Sequence, residues 1–164
     1  MDGSKGFAMD ESGAVVLGTR SAAPQPRAGG SIARGDRLFV YGTLQFPEVL
    51  VELIGRCPEL VAAALTGWRA AALPGRVYPG LVPAADGVAR GVVLSGLDAD
   101  EWAVLDAFED DDYELRRVRL DTVASAWTYV WTSGVAQDDW YPERFAAEHL
   151  GWFVVRCAEW RRQL

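Results

Sequence analysis

The stretch Leu38-Phe39-Val40-Tyr41-Gly42-Thr43-Leu44 decides how the rest of the chain is read. Four strand-forming residues run without interruption into a glycine, the pattern of a buried β-strand that stops at a tight turn whose backbone must come close to something. The N–H groups of such a turn are free to bind an anion. Strands ending this way are also common in α/β domains, so a purely structural turn and an anion-binding turn both stand at this point.

Working outward from the turn, Pro47 suits the first turn of a helix, and Glu48 suits the positive end of its dipole. Leu50, Leu53 and Ile54 repeat at helical spacing, and Gly55 is a good C-terminal stop, which predicts a short helix of about two turns. Its start just after Leu44 adds a second source of positive potential to the turn.

The whole chain has 164 residues, half of them hydrophobic, which suits one domain with one sizeable core. Its net charge of −7 gives little attraction to phosphate backbones or anionic membranes, and neither nucleic acid nor a membrane is expected as a partner. His149 is the only histidine and Lys5 the only lysine, so a multi-histidine metal site or a Schiff-base lysine in the fold is not expected. Cys57 and Cys157 lack metal or CxxC spacing and read as reduced side chains. No apolar run reaches the length of a membrane span and no secretory signal is evident, so a soluble cytoplasmic protein is expected, with a monomer as the default. Chemistry must therefore lean on carboxylates, hydroxyls and backbone amides.

Residues 1–36, rich in Gly, Ala, Ser and Pro, read as a flexible tail in which only a short β-ribbon at Val15 and Val16 is conceivable. Residues 61–73 read as extended, interrupted at Gly67. The segment Tyr78 to Pro83 reads as a short strand, placed by its prolines at a sheet edge or bulge, and Val88 to Leu94 as a second, better strand. Asp98 with Glu101 three residues on has capping-box spacing and opens a second helix.

On that helix Trp102, Leu105 and Glu109 share an azimuth, which puts a carboxylate on the apolar stripe in the last turn. Desolvation and the negative end of the helix dipole would both raise its pKa toward the range of a neutral-pH proton shuttle. The competing reading ends the helix before Glu109 and makes residues 109–112 a solvated acidic loop. Asp106 is a weaker candidate on the same face. Beyond it, residues 113–121 and 126–132 read as a hairpin with a core face of Trp127, Tyr129 and Trp131. A helical stretch then begins at Pro142, with Ala146, Leu150, Phe153, Cys157 and Trp160 at helical spacing and a kink or break at Gly151. His149 reads as a surface or packing residue.

Taken together, the Leu38 to Leu44 strand and turn, the Tyr78-Pro79-Gly80 segment, and Leu105-Asp106-Ala107-Phe108-Glu109 followed by Tyr113 and Val118 resemble the γ-glutamylcyclotransferase superfamily, in particular its γ-glutamylamine cyclotransferase-like branch. The resemblance runs from about Arg37 to Leu150, leaving residues 151–164 as a C-terminal helical extension. It implies an α+β fold: a small mixed parallel and antiparallel β-barrel of five or six strands, flanked by helices, with a cavity at one mouth. It implies that Tyr41, Gly42, Thr43 and Leu44 bind the glutamyl part of a small γ-glutamyl substrate and that Glu109 is the general acid/base. The implied reaction releases 5-oxoproline and a free amine and needs neither metal nor cofactor. A non-catalytic binding module, or an enzyme removing a γ-glutamyl protecting group in biosynthesis, would fit the same residues. Two local departures stand out: Gln45-Phe46-Pro47 replaces a basic, glycine-containing segment, and Leu115-Arg116 follows Tyr113 where members often place Arg at the first of these positions.

Overall fold

The computed structural model describes residues 32–121 and 125–164, together with the backbone of two short strands, Ala8–Met9 (β1) and Val15–Val16 (β2). These two pair antiparallel, Met9 opposite Val15 and Ala8 opposite Val16, as the ribbon reading allows. The remainder of the expected tail up to residue 31 lies outside the described residues.

The opening stretch forms β3 (Leu38–Val40), and all three residues are buried. Successive side chains of a strand point to opposite faces, so Leu38 and Val40 join one core while Phe39 and Tyr41 join another. Burial on both faces explains why the run carries no polar alternation. The glycine ends the strand into a single 3₁₀ turn, Thr43–Gln45, followed by α1 (Pro47–Ile54). Pro47 opens α1 and Gly55 closes it in the left-handed conformation, both as expected.

β4 (Glu59–Ala71) and β5 (Gly80–Ser95) form a long antiparallel pair. Gly67, with φ of +88°, lies within the register shift between Thr66 and Trp68. The two separate strands expected over residues 78–94 are one continuous strand of 16 residues. It is central: its C-terminal part pairs with β3 at Val92, Val93 and Leu94, and its N-terminal part with β7 (Ala126–Trp131) at Leu81. Pro83 falls opposite Trp68, beside the register shift, where a ladder tolerates a missing donor. β6 (Tyr113–Val118) completes the hairpin with β7, Tyr113 opposite Trp131 through Val118 opposite Ala126.

The sheet order is β4-β5-β3-β7-β6, with β3 parallel to β7 and antiparallel to β5. A mixed α+β architecture is therefore present, but the expected closed barrel is not. β6 and β4 form no ladder with each other. β6 stops at Val118, and among the described residues Asp121 crosses the gap, its N–H bonded to the Ala64 carbonyl and its carboxylate accepting from Thr66 Oγ1. Farther along, the free edge of β4 is taken by a loop, with Ala72 N–H bonded to Asp138 O and Trp140 N–H to Ala70 O. These contacts cover the edge without a strand.

α2 (Ala99–Phe108) begins with the expected capping box, in which Asp98 accepts from Glu101 N–H and Glu101 accepts from Asp98 N–H. Its end differs from the helical-face reading: Glu109 is already outside, with extended backbone angles of φ −71° and ψ 145°. α3 (Pro142–Glu148) and α4 (Leu150–Arg162) meet at His149, so the break comes two residues before Gly151. The break shifts the phase of α3, which buries Phe145 and leaves Ala146 exposed. Phe153, Cys157 and Trp160 of α4 belong to the main core, with Phe108 edge-on to both Phe153 and Trp160. His149 itself packs on Phe145 and Trp152.

Candidate active site

A cleft opens where β3 ends. It is narrow, with a cavity volume of about 30 Å³, and opens to solvent. Tyr41, Gly42, Thr43 and Leu44 line it on one side, and Glu109 and Asp110 line it on another, with Phe108, Tyr113, Tyr129 and Phe153 among its aromatic walls. The four turn residues and the carboxylate singled out from sequence thus share one space, although 65 residues separate Leu44 from Glu109 (109 − 44).

The turn is set by steric closeness. A Cβ added to Gly42 would lie 2.9 Å from two ring atoms of Pro79, and one added to Gly91 of β5 would lie 2.1 Å from the Val40 carbonyl oxygen. Both positions need the missing side chain. The first bonded donors of the 3₁₀ turn are the N–H groups of Gln45, to Gly42 O, and Phe46, to Thr43 O. The N–H groups of Thr43 and Leu44 precede them, at the end of a helical turn where the geometry supplies no internal partner. Gln45 folds its side-chain amide back onto the Tyr41 carbonyl at 2.8 Å, Phe46 packs its ring against Phe145, and Pro47 starts α1. The Gln45-Phe46-Pro47 departure thus fastens the turn to the helical layer.

The Tyr41 phenol faces the interior. It donates to Tyr129 O at 2.6 Å and accepts from Leu81 N–H at 3.1 Å, tying together β7 and β5. Burial, followed by the nearby charge of Glu109, pushes its pKa well up, so it remains a donor. The Tyr41 hydroxyl is therefore committed to the backbone of β7 and β5. Tyr113 donates a short hydrogen bond to the Pro79 carbonyl. Burial raises its pKa too, helped by the neighbouring Tyr41 and Glu109. Asp106 is 3% exposed and accepts from the Tyr129 hydroxyl at 3.1 Å, beneath the cleft wall.

Spacing arguments missed a second group of residues. Asp110, only 7% exposed, accepts from the Tyr78 hydroxyl at 3.0 Å and from Asp112 N–H at 3.1 Å. Arg76 donates to the Tyr78 hydroxyl at 2.9 Å and lies 3.6 Å from the Asp110 carboxylate. The acidic run after α2 is thus not wholly a solvated loop, since its second member is buried and fastened to the β4–β5 connection. Leu115 is buried in the core, whereas Arg116 pairs with Glu114 at the surface. That arginine belongs to the outer face of β6.

The sequence model of the family described as "Gamma-glutamyl cyclotransferase, AIG2-like" matches residues 38–151, which take in both sides of the cleft. Among curated relatives, AIG2-like protein C of Arabidopsis thaliana is 44% identical over 99 residues, covering 57% of this chain and 58% of its own length. AIG2-like protein A of the same organism is 35% identical over 127 residues, 71% of this chain and 76% of that protein. Among solved structures, the solution structure of At5g39720.1 from Arabidopsis thaliana aligns with a TM-score of 0.58 and 31% identity, covering 79% of this chain and 92% of that one. With the matched segment starting at β3 and ending in the first turn of α4, the chain belongs to the AIG2-like gamma-glutamyl cyclotransferase family.

Proposed function

We propose that this protein is an enzyme that cyclises the γ-glutamyl group of a γ-glutamyl amine or peptide, releasing 5-oxoproline and the free amine. The observation that carries the reading is that Glu109 and the Tyr41 to Leu44 turn line one cleft. In the reaction the substrate's own α-amine attacks its γ-carbonyl carbon. The new C–N bond closes a five-membered lactam as the bond to the leaving amine breaks. Because the attacking amine is already in the substrate, the protein's share is to hold a near-attack conformer and move protons. Glu109 takes a proton from the ammonium group and returns it to the leaving nitrogen, a role that typically contributes about 10²–10⁴-fold. N–H groups of the Gly42 to Leu44 segment bind the glutamyl end and the carbonyl oxygen as charge builds on it.

The aromatic walls support this reading because they limit water access and so favour the internal amine over hydrolysis. The scheme uses no metal or cofactor. No helix among the described residues is long and apolar enough to cross a membrane. Cys57 and Cys157 are free thiols, which supports a reducing, cytoplasmic setting.

The test is to incubate the protein with γ-glutamyl amines, γ-glutamyl peptides and glutathione while 5-oxoproline is quantified. Release from at least one substrate, in proportion to protein concentration, is expected, and the preferred amine would separate a general cyclotransferase from a biosynthetic deprotecting enzyme. Binding of these compounds without any 5-oxoproline would instead make the domain a ligand-binding module.

A further inference from the structure

The loop that carries Glu109 is anchored by residues beyond α2. α2 ends at Phe108, and Glu109 has left the helix, so the helical ladder does not fix its direction. The next residue is fixed. Three groups from outside and inside the loop converge on the Asp110 carboxylate: the Tyr78 hydroxyl at 3.0 Å, Asp112 N–H at 3.1 Å and Arg76 Nε at 3.6 Å. Tyr113 N–H also bonds to the Asp110 carbonyl oxygen at 3.1 Å, so both the side chain and the backbone of Asp110 are held.

We propose that Asp110 is a positioning residue for Glu109, and that Arg76, Tyr78 and Asp110 form a brace that sets the loop after α2 against the cleft. The assignment rests on the proposed role of Glu109. Its physical basis is the chain path. Glu109 immediately precedes Asp110 and both line the cleft, so fixing the Asp110 side chain on Tyr78 and Arg76 and its carbonyl on Tyr113 N–H fixes the backbone from which Glu109 projects. The brace also joins both walls, because Tyr78 precedes Pro79, whose ring packs against Gly42. Arg76 is itself seated, with its guanidinium carbon 5.5 Å from the centre of the Trp131 ring. Burial, with the Asp110 charge next, pushes the Tyr78 phenol far above its ordinary range, so it stays a donor throughout the neutral range.

The test compares Asp110→Ala with wild type in full-length protein, in both the native and the Glu109→Gln backgrounds. A misplacement of about 1 Å can cost about 10²-fold in rate. Asp110→Ala should lower kcat by about 10- to 100-fold with KM changed less than about twofold, and the same substitution should cost nothing further once Glu109 is Gln, since residues acting as a unit are non-additive. An equal loss in both backgrounds, or a loss confined to KM, would overturn the proposal. A crystal structure of Asp110→Ala supplies the readout that does not need turnover. Displacement of the Glu109 carboxylate from the cleft supports the brace, and an unmoved Glu109 overturns it. If wild type releases no 5-oxoproline at all, the catalytic reading fails while the structural arm still decides the brace.

Discussion

The two sides of the cleft are built by different means. The Tyr41 to Leu44 side is held by close backbone packing, with Gly42 against Pro79 and Gly91 beneath the Val40 carbonyl. The Glu109 side is held by polar side chains, through Asp110, Tyr78 and Arg76. Steric closeness gives a turn that cannot shift without moving a strand. Side-chain bonds give a loop whose path is tied to residues about thirty positions away, in line with the 32-residue separation of Tyr78 and Asp110. On the proposed reading, the first construction would suit a surface that binds a fixed glutamyl end, and the second a group that meets two nitrogens in turn.

The strongest way to break this comparison is Gly91→Ala. The added carbon would lie 2.1 Å from the Val40 oxygen and 3.0 Å from Tyr41 Cα, and the atoms in the way are backbone. A loss of about 3 kcal/mol or more, or failure to fold, is expected in chemical denaturation. A stability loss under about 0.5 kcal/mol, the usual range for surface substitutions, would show that β3 and β5 are less tightly locked than the geometry requires.

Gly42→Ala tests the same side more gently. Its clash is with the ring of Pro79, at 2.9 Å, and a ring at the cleft rim can give way by a small movement. The expected cost is about 1–2 kcal/mol of stability, together with a rise in KM for the γ-glutamyl substrate that exceeds the fall in kcat. The opposite split would transfer the turn's role from binding to chemistry.

The smallest expected effect is on pH dependence. α2, which carries Glu109 at its end, is tied to the end of α1 by Arg56, whose guanidinium bonds to both Glu101 oxygens at 2.6 and 2.8 Å and to Gly96 O at 2.9 Å. The hydrogen bond from Arg56 holds the Glu101 carboxyl below its ordinary value of 4.5. A carboxylate whose pKa is lower in the folded state stabilises the fold at pH above the unfolded value and loses that contribution as pH falls through the folded one. Thermal melts at neutral pH and near pH 3 should therefore show a smaller acid-induced drop in Glu101→Gln than in wild type. The difference will be slight because Arg56 is half exposed and its ion pair is screened. An unchanged drop would remove this pair from the positioning of α2.

The same contrast explains what could be read from sequence. Strand β3, the Pro47 and Gly55 limits of α1 and the Asp98–Glu101 capping box are local patterns, each made by residues within four positions of one another, and each was legible. Glu109 was singled out by a helical face it does not occupy, since the helix ends at Phe108. It lines the cleft all the same, between Phe108 and Asp110. The sequence reads as two strands over residues 78–94 because Pro79 and Pro83 bracket the first of them, and although Gly67 signals an interruption in β4, nothing local shows that Pro83 lies beside that irregularity in one continuous pairing. Barrel closure failed as an expectation because edge covering by Asp121 and the loop at residues 136–140 is a long-range arrangement. Asp110 gave no local signal of its burial, since its partner Tyr78 lies in another segment.

The central claim is that Glu109 moves the proton while the opposing turn holds the glutamyl end. It is tested most directly by measuring 5-oxoproline release from the best γ-glutamyl substrate by wild type and Glu109→Gln, with substrate binding measured in parallel. The amide is nearly the same shape but cannot shuttle a proton, so release should fall by about 10²–10⁴-fold while binding and the melting temperature stay near wild type. Near-normal release by Glu109→Gln would contradict the account.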